Sequence, residues 1–551
     1  MTKKSMIRGA AILAAAGLVN RFLGAVARIA LPTLIGDEGV GLYQMAYPVY
    51  SIFLVISTAG IPVAVSKLVA EQVVQKNRRG ALTILQVATV ILIFTGALFS
   101  LGLAFAAKPI ATYVARDPRA ALAIVAVSPA VLVLSVASAF RGFFQGLQNM
   151  VPSALSQVIE QIVRVSVMIG LAWIFLPRGV EYAAAGANLG AVFGGTAGLL
   201  VLIIAYLRQE HERGSWRTTW SLKDCDVAPK SASQWKSGAK DNYMASRSSL
   251  IRKIFELSLP VVLAAAIMPL MQFLDIGIVP LRLSHAGFSP DEITKLFGRL
   301  TGMAQPLMYF PTLVTAAVAT SSVPAISEAL AKGDRSALSM RAQEAIRLGF
   351  LFALPSAVGL FVFAPEFSLM LRWPQEVAVP LRALAFGTVF LALQQISSGI
   401  LQGLGAVGVP VRNLAKGAVA KFIVSFSLTG VPAFGIRGAA LGTVAAFAVA
   451  GLLNVVTLVR MLGFSIDVPN SVIKPIFGVL LMVLGSRAAY AGVYAATASN
   501  TVGCLVAIVI AVIIYGATLL VTGVIGRHEL EVFPGGKSVA GVLERLGLLR
   551  R

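Results

Sequence analysis

The sequence predicts an all-α polytopic membrane protein of about fourteen transmembrane helices, built as two six-helix lobes related by a parallel repeat and followed by two further helices. Three observations point there. Hydrophobic residues make up 57% of the 551 and charged residues only 13%, with a mean hydropathy of +0.83; a soluble chain usually carries about 25% charged residues. Apolar windows of about 20 residues, each able to cross a bilayer core, recur from end to end. The sequences on either side of one long polar insert also echo each other at a near-constant offset.

Taken in order, the predicted spans are 9–31, 40–66, 82–106, 120–140, 153–176, 183–207, 254–280, 297–326, 347–370, 379–400, 413–432, 438–459, 474–496 and 502–524. The first carries two arginines and lacks a small-residue cleavage site, so it reads as a retained helix rather than a signal peptide. If the N-terminus is cytoplasmic, the segments on that side hold most of the Lys and Arg, and the excess persists without the long insert. Both termini are then cytoplasmic. The insert 208–252 has the composition of a flexible cytoplasmic linker, while Trp216, Trp220 and Trp235 among its basic residues would alternatively let it rest on the membrane. The tail "KSVAGVLERLGLLRR" suits a short interfacial helix. The expected domains are a first lobe 1–207, the linker 208–252, a second lobe 253–461, the last two spans within 462–524, and a tail 525–551.

The repeat rests on several echoes. "FRGFFQGLQNMVPSALSQVIEQIVRV" (140–165) resembles "SGILQGLGAVGVPVRNLAKGAVAKFI" (398–423), each placing QGL and then Pro at the foot of an apolar helix. "STAGIPVAVSKLVAE" (57–71) resembles "ATSSVPAISEALAKG" (319–333), and "VNRFLG" (19–24) sits like "MQFLDI" (271–276). About six spans separate the copies, so both halves share one orientation and are related by an axis along the membrane normal, as in transporters whose halves rock around a site at their interface. Gly186, Gly190, Gly194 and Gly198, and later Gly438 and Gly442, mark small-residue faces for close helix packing.

The formal charge of +22 reads as basic cytoplasmic loops facing anionic headgroups, not as nucleic-acid binding. Cys225 and Cys504 give neither a disulfide framework nor a metal spacing. His211, His285 and His528 are scattered, and no Ser/His/Asp set, Cys/His cluster or phosphate loop occurs. "GLGAVG" (403–408) fits a dinucleotide fingerprint, but it joins two membrane helices and no acid follows between 401 and 435. The expectation is therefore a non-enzyme with no cofactor and no bound metal. A membrane-bound glycan polymerase would need clustered carboxylates or histidines.

The residues that stand out are charges inside spans. An arginine at the bilayer centre costs roughly 3 kcal/mol on insertion scales, yet Arg21 and Arg28 both lie in the first span. Seven residues apart, they differ by only about 20° around the helix. Facing a cavity, such a stripe would attract an anion, phosphate above all; Arg28 can equally snorkel to the interface, and Arg21 can serve a structural ion pair. Glu160 and Arg164 are spaced to pair on one helix, structurally or as part of a site. Lys421 occupies the repeat position of Arg164. Asp275 is a deep carboxylate that would either bind a coupling cation or neutralise an arginine.

The stretch "NRFLGAVARIALPTLIGDEGVGLYQMAYPVYSIFLVISTAGIPVAVSKLVAE" resembles the start of the SpoVB and MurJ-like proteins of Gram-positive bacteria, and "AFRGFFQGLQNMVPSALSQVIEQIVRV" is a second block of that kind. These proteins belong to the multidrug/oligosaccharidyl-lipid/polysaccharide exporter superfamily. The resemblance spans nearly the whole chain. It implies a V-shaped cationic cavity between two lobes and transport of an undecaprenyl-linked sugar from the inner to the outer leaflet, lipid II for MurJ-like members. The family's paired arginines on the first helix would be Arg21 and Arg28, and that near the start of the eighth would be Arg299. A family arginine on the second helix has no counterpart in 40–66. The sodium site of some relatives uses carboxylates on the seventh and eleventh helices; Asp275 is present, but 413–432 contains no Asp or Glu. The implied partners are a lipid-linked oligosaccharide and membrane lipids. Rivals are a flippase for a capsule or teichoic-acid lipid and, further off, a cation-coupled drug exporter.

Overall fold

The computed structural model describes residues 3–58, 60–211, 247–464 and 469–524. The long insert, apart from its two ends, and the tail lie outside the described residues, as do the side chain of Arg21, Cys225, His528 and the three tryptophans.

Helices cover all fourteen predicted spans. They are α1 (Lys3–Thr58), α2 (Ile61–Val74), α3 (Arg78–Pro109), α4 (Ala120–Val127), α5 (Pro129–Gly146), α6 (Met150–Phe175) and α7 (Val180–His211). Next come α8 (Arg247–His285), α9 (Pro290–Gly298), α10 (Gln305–Tyr309), α11 (Thr312–Ala331), α12 (Arg335–Val362) and α13 (Ala364–Met370). The chain continues through α14 (Ala378–Ala385), α15 (Gly387–Gly403), α16 (Gly408–Thr429), α17 (Ile436–Leu462), α18 (Lys474–Thr497) and α19 (Asn500–Val521).

Eleven helices among the described residues are long and apolar enough to cross a membrane, and twelve if Gln375–Ala385 and Gly387–Gly403, bent by 45°, form one span. The difference from fourteen has two physical sources. The first two predicted spans run together in α1, broken only at Gly36, whose φ of 69° and ψ of −178° are non-helical. The eleventh, α16, carries Arg412, Lys416 and Lys421 and is too polar to stand out. Helix starts follow capping chemistry: Asn77 accepts from the Gly80 N–H at 3.0 Å and Asp334 from that of Ala337 at 2.9 Å.

The chain divides into two compact units. The first comprises Met1–Leu281 with Pro290–Gly298, the second Arg282–Ser289 with Arg299–Arg551. In the first, Ile61, Leu68, Ile84, Leu92 and Phe143 form a buried core that Leu250 and Ile254 of α8 complete. A second cluster joins α1 to α6 and α7 through Ala27, Leu31, Val165, Met168 and Ala187. In the second unit, Ile326, Leu338, Ala342, Ile400 and Leu458 tie α11, α12, α15 and α17 together. The last two helices pack on α12 through Leu351, Val479, Met482 and Leu519, and Tyr515 donates to the Leu351 carbonyl at 3.0 Å.

Close backbone approach at glycine repeats between the units. Gly142 and Gly146 of α5 lie against the carbonyls of Pro62 and Ser66; Gly399 and Gly403 of α15 lie against those of Ala319 and Val323, every partner displaced by 257 residues. Likewise Gly186 and Gly190 of α7 pack over Leu171 and Arg164, while Gly438 and Gly442 of α17 pack over Leu428 and Lys421. The internal repeat is thus a repeat of helix contacts as well as of letters.

Candidate functional site

The first unit concentrates charge where three helices meet. Glu160 and Arg164 stand one turn apart on α6, and their side chains bond, Arg164 Nη2 to Glu160 Oε1 at 2.6 Å. Arg141 reaches across from α5 and gives Nη2 to Glu160 Oε2 at 2.5 Å. Its Nε faces Ser156 Oγ at 3.3 Å. The small residues of α7 clear this space: a methyl group on Gly194 would stand 2.7 Å from Arg164 Cβ, and one on Gly198 would stand 3.4 Å from Arg141 Nη2. The glycine stripe expected to be architecture alone also makes room for the charges.

Tyr43, Tyr47 and Tyr50 in the second half of α1 follow one another along a helix face, with successive ring centroids 6.5 and 6.0 Å apart. All three lie near Arg164, and Tyr43 also lies near Arg28. Arg28 is exposed, and no carboxylate pairs with it among the described residues. Gly24 faces Gln161 of α6, which sets this part of α1 beside the pair-bearing helix. One carboxylate for two guanidiniums leaves a surplus of positive charge and of N–H donors; Arg164 Nε is buried and has no hydrogen-bond partner. Guanidinium forks of this kind match phosphate oxygens in charge and geometry.

The structure therefore brings Glu160 and Arg164 together, with Arg28 on the adjoining helix. Arg141 was not expected from sequence; its distance of 19 residues from Glu160 leaves no local spacing to betray it. Asp275 is buried in α8 of the first unit. Lys421 and Arg299 belong to the second. Lys421 is buried on α16 beneath Gly442. Arg299 opens a π-helical turn, its Nη2 3.8 Å from Oε2 of the exposed Glu376. At the repeat positions of Arg141 and Glu160 the second unit has Ser398 and Gly417. A neutral network stands there: Asn413 donates to Asn454 at 2.9 Å, and Asn454 and Gln394 donate to Ser398 Oγ at 3.1 and 3.2 Å.

A second polar cluster of the first unit lies between spans. Arg119 binds Asp117 at 2.8 Å, Glu38 at 2.6 Å and Asp291 at 3.1 Å, and Thr294 Oγ1 donates to Asp117 at 2.7 Å. Burial alone would raise the Asp117 carboxyl, but the bonds from Arg119 and Thr294 and the Arg119 charge outweigh it and hold its pKa below the usual range. This cluster fastens α9 to α1, where Gly41 and Gly298 admit close contact with Thr294 and Asp37.

A helical repeat crossing the membrane many times, with cations set among the helices of each copy, marks a multi-pass membrane protein. More narrowly, the chain belongs to the polysaccharide biosynthesis protein family, whose model matches residues 6–330, and a MatE model matches 301–427. It is 32% identical to stage V sporulation protein B of Bacillus subtilis (strain 168), over 97% of this chain and 98% of that protein. It is 24% identical to the lipid II flippase MurJ of the same organism, over 84% of each. The solved inward closed conformation of a lipid II flippase MurJ shares the fold at a TM-score of 0.58 and 14% identity, covering 92% of this chain and 97% of that one.

Proposed function

We propose that the chain is a flippase moving an undecaprenyl-pyrophosphate-linked cell-wall precursor, lipid II foremost, from the inner to the outer leaflet by alternating access, for peptidoglycan synthesis in growth or sporulation. The observation that carries this reading is the trio Arg141, Glu160 and Arg164 among membrane helices, with two bonds at 2.5 and 2.6 Å and a surplus cation. Such a group suits pyrophosphate and suits a cationic drug poorly. Kinship with proteins named for sporulation and for lipid II flipping supports the substrate class.

In this proposal Arg21, Arg28 and Arg164, joined by Arg141, hold the pyrophosphate, while Arg299 and Lys421 contribute from the second lobe. Glu160 and Asp275 balance charge or take a coupling ion. The lobes are 1–207 and 253–461, joined by the cytoplasmic linker 208–252, with helices 462–524 and the tail 525–551 following, and both termini are cytoplasmic. No covalent bond changes, so the protein is no enzyme and needs no cofactor.

The test is reconstitution in proteoliposomes with fluorescent lipid II and, in parallel, an undecaprenyl-pyrophosphate glycan of capsule or teichoic type, read by a membrane-impermeant quencher. Lipid II should cross, Arg21→Ala should abolish crossing while the protein still folds, and Arg28→Ala should reduce it. Preference for the other glycan would reassign the substrate. Movement of neither lipid, or normal transport by well-folded Arg21→Ala, would refute the reading.

A further inference from the structure

We infer that Glu160 is an internal stand-in for the substrate's pyrophosphate: it occupies Arg141 and Arg164 in the empty protein and is displaced from Arg164 when substrate binds. The inference rests on the flippase reading and adds how the site lets its cargo go. The two guanidiniums converge on separate oxygens of one carboxylate, Arg141 Nη2 on Oε2 at 2.5 Å and Arg164 Nη2 on Oε1 at 2.6 Å. They are therefore already spaced to bridge one anion. The carboxylate uses both its oxygens on them, yet the donors outnumber the acceptors: Arg164 Nε stays buried with no partner.

A pyrophosphate linkage brings more negative charge and more acceptor oxygens than a carboxylate, so exchange on Arg164 gains on both counts. The displaced Glu160 keeps Arg141, which is also steadied by Ser156, and so does not become a lone buried charge. The trio is reachable, its side chains being 12 to 21% exposed. A permanent counter-anion also solves a problem of turnover. A bare pair of arginines would grip pyrophosphate too tightly to release it, whereas Glu160 re-forms its bond as the cargo leaves.

The test measures binding of farnesyl pyrophosphate, with farnesol as control, to the full chain in lipid nanodiscs, and flipping of fluorescent lipid II in proteoliposomes. Glu160→Gln should bind farnesyl pyrophosphate about tenfold more tightly, lower the half-saturating concentration for flipping and lower its maximal rate. A merely structural carboxylate would not split these two constants in opposite senses. If Glu160→Gln does not fold, the double variant Arg141→Gln/Glu160→Gln decides, because it removes one charge of each sign. It should bind at least as tightly as the unmodified chain despite losing a cation. Weaker binding by the folded variants overturns the stand-in while leaving the substrate reading intact. If the unmodified chain prefers farnesyl pyrophosphate no more than farnesol, the substrate reading and this inference fall together.

Discussion

Alanine at Gly142 probes the contact on which the repeat is built. The added methyl would stand 2.5 Å from the Pro62 carbonyl oxygen and 3.0 Å from Pro62 Cα. These are backbone atoms of α2, which cannot turn aside as a side chain can, so α5 and α2 must separate. Overpacking of this kind costs about 1–3 kcal/mol. Against it, replacing a helical glycine by alanine returns roughly 0.5–1 kcal/mol of backbone entropy. The net expectation is a loss of about 1–2 kcal/mol. Gly399→Ala should lose a similar amount, since its methyl would stand 2.5 Å from the Ala319 carbonyl oxygen. Gly170→Ala in α6 is the control: nothing lies within 4 Å of its added carbon, so only the entropic gain remains. The assay is the unfolding midpoint in detergent, by heat and by added dodecyl sulfate, on the intact chain. If Gly142→Ala and Gly399→Ala unfold no earlier than Gly170→Ala, the close approach is wrong and the structural repeat loses its main support.

Arg141→Ala and Arg164→Ala should each destabilise modestly, because Glu160 keeps one partner. The double variant strands that carboxylate and should lose about 1–3 kcal/mol more than the two singles added together, read from unfolding midpoints; simple additivity would show that Glu160 does not bridge them. Asp117 has a depressed pKa in the folded state, so its stabilisation is complete above the unfolded value, about pH 4, and disappears as pH falls through the folded one. Asp117→Asn should therefore lower the melting temperature at pH 7 and converge with the unmodified chain as pH falls through the folded value; a gap that stays constant on acidification would count against the Arg119 and Thr294 bonds as its source. Transport should persist when choline replaces sodium at fixed membrane potential, because α16 supplies no carboxylate and places Lys421 in its buried face; an arrest shared with Asp275→Asn would reveal a sodium site.

Hydropathy made the helices legible, because a span must bury about 20 apolar residues and little else can imitate it. It could not show that α1 carries the first two spans with a single glycine as its hinge, since Gly36 is one small residue in a continuous pattern. The pair Glu160 and Arg164 was visible because both lie on one helix at a spacing that faces them. Arg141 was not, and neither were the bonds from Arg119 to Glu38 and Asp291, 81 and 172 residues away. Such partners are set by packing, and packing leaves no periodic mark. Tyr43, Tyr47 and Tyr50 did carry a helical spacing, but a spacing alone does not say that a guanidinium lies beside them.

The neutral network at Ser398, Asn413 and Asn454 turns one half of the molecule into a control for the other. Both halves hold the same glycine contacts, one around Arg141 and Glu160, the other around a serine and a glycine. Since the second copy packs without them, the framework itself does not demand those charges. Grafting follows from the same logic. Ser398→Arg with Gly417→Glu would place an arginine and a glutamate, with Lys421 as the second cation, at the matching points of the other half, although Gly417 sits against the Ala446 carbonyl and that helix pair would have to yield for the transplant to take.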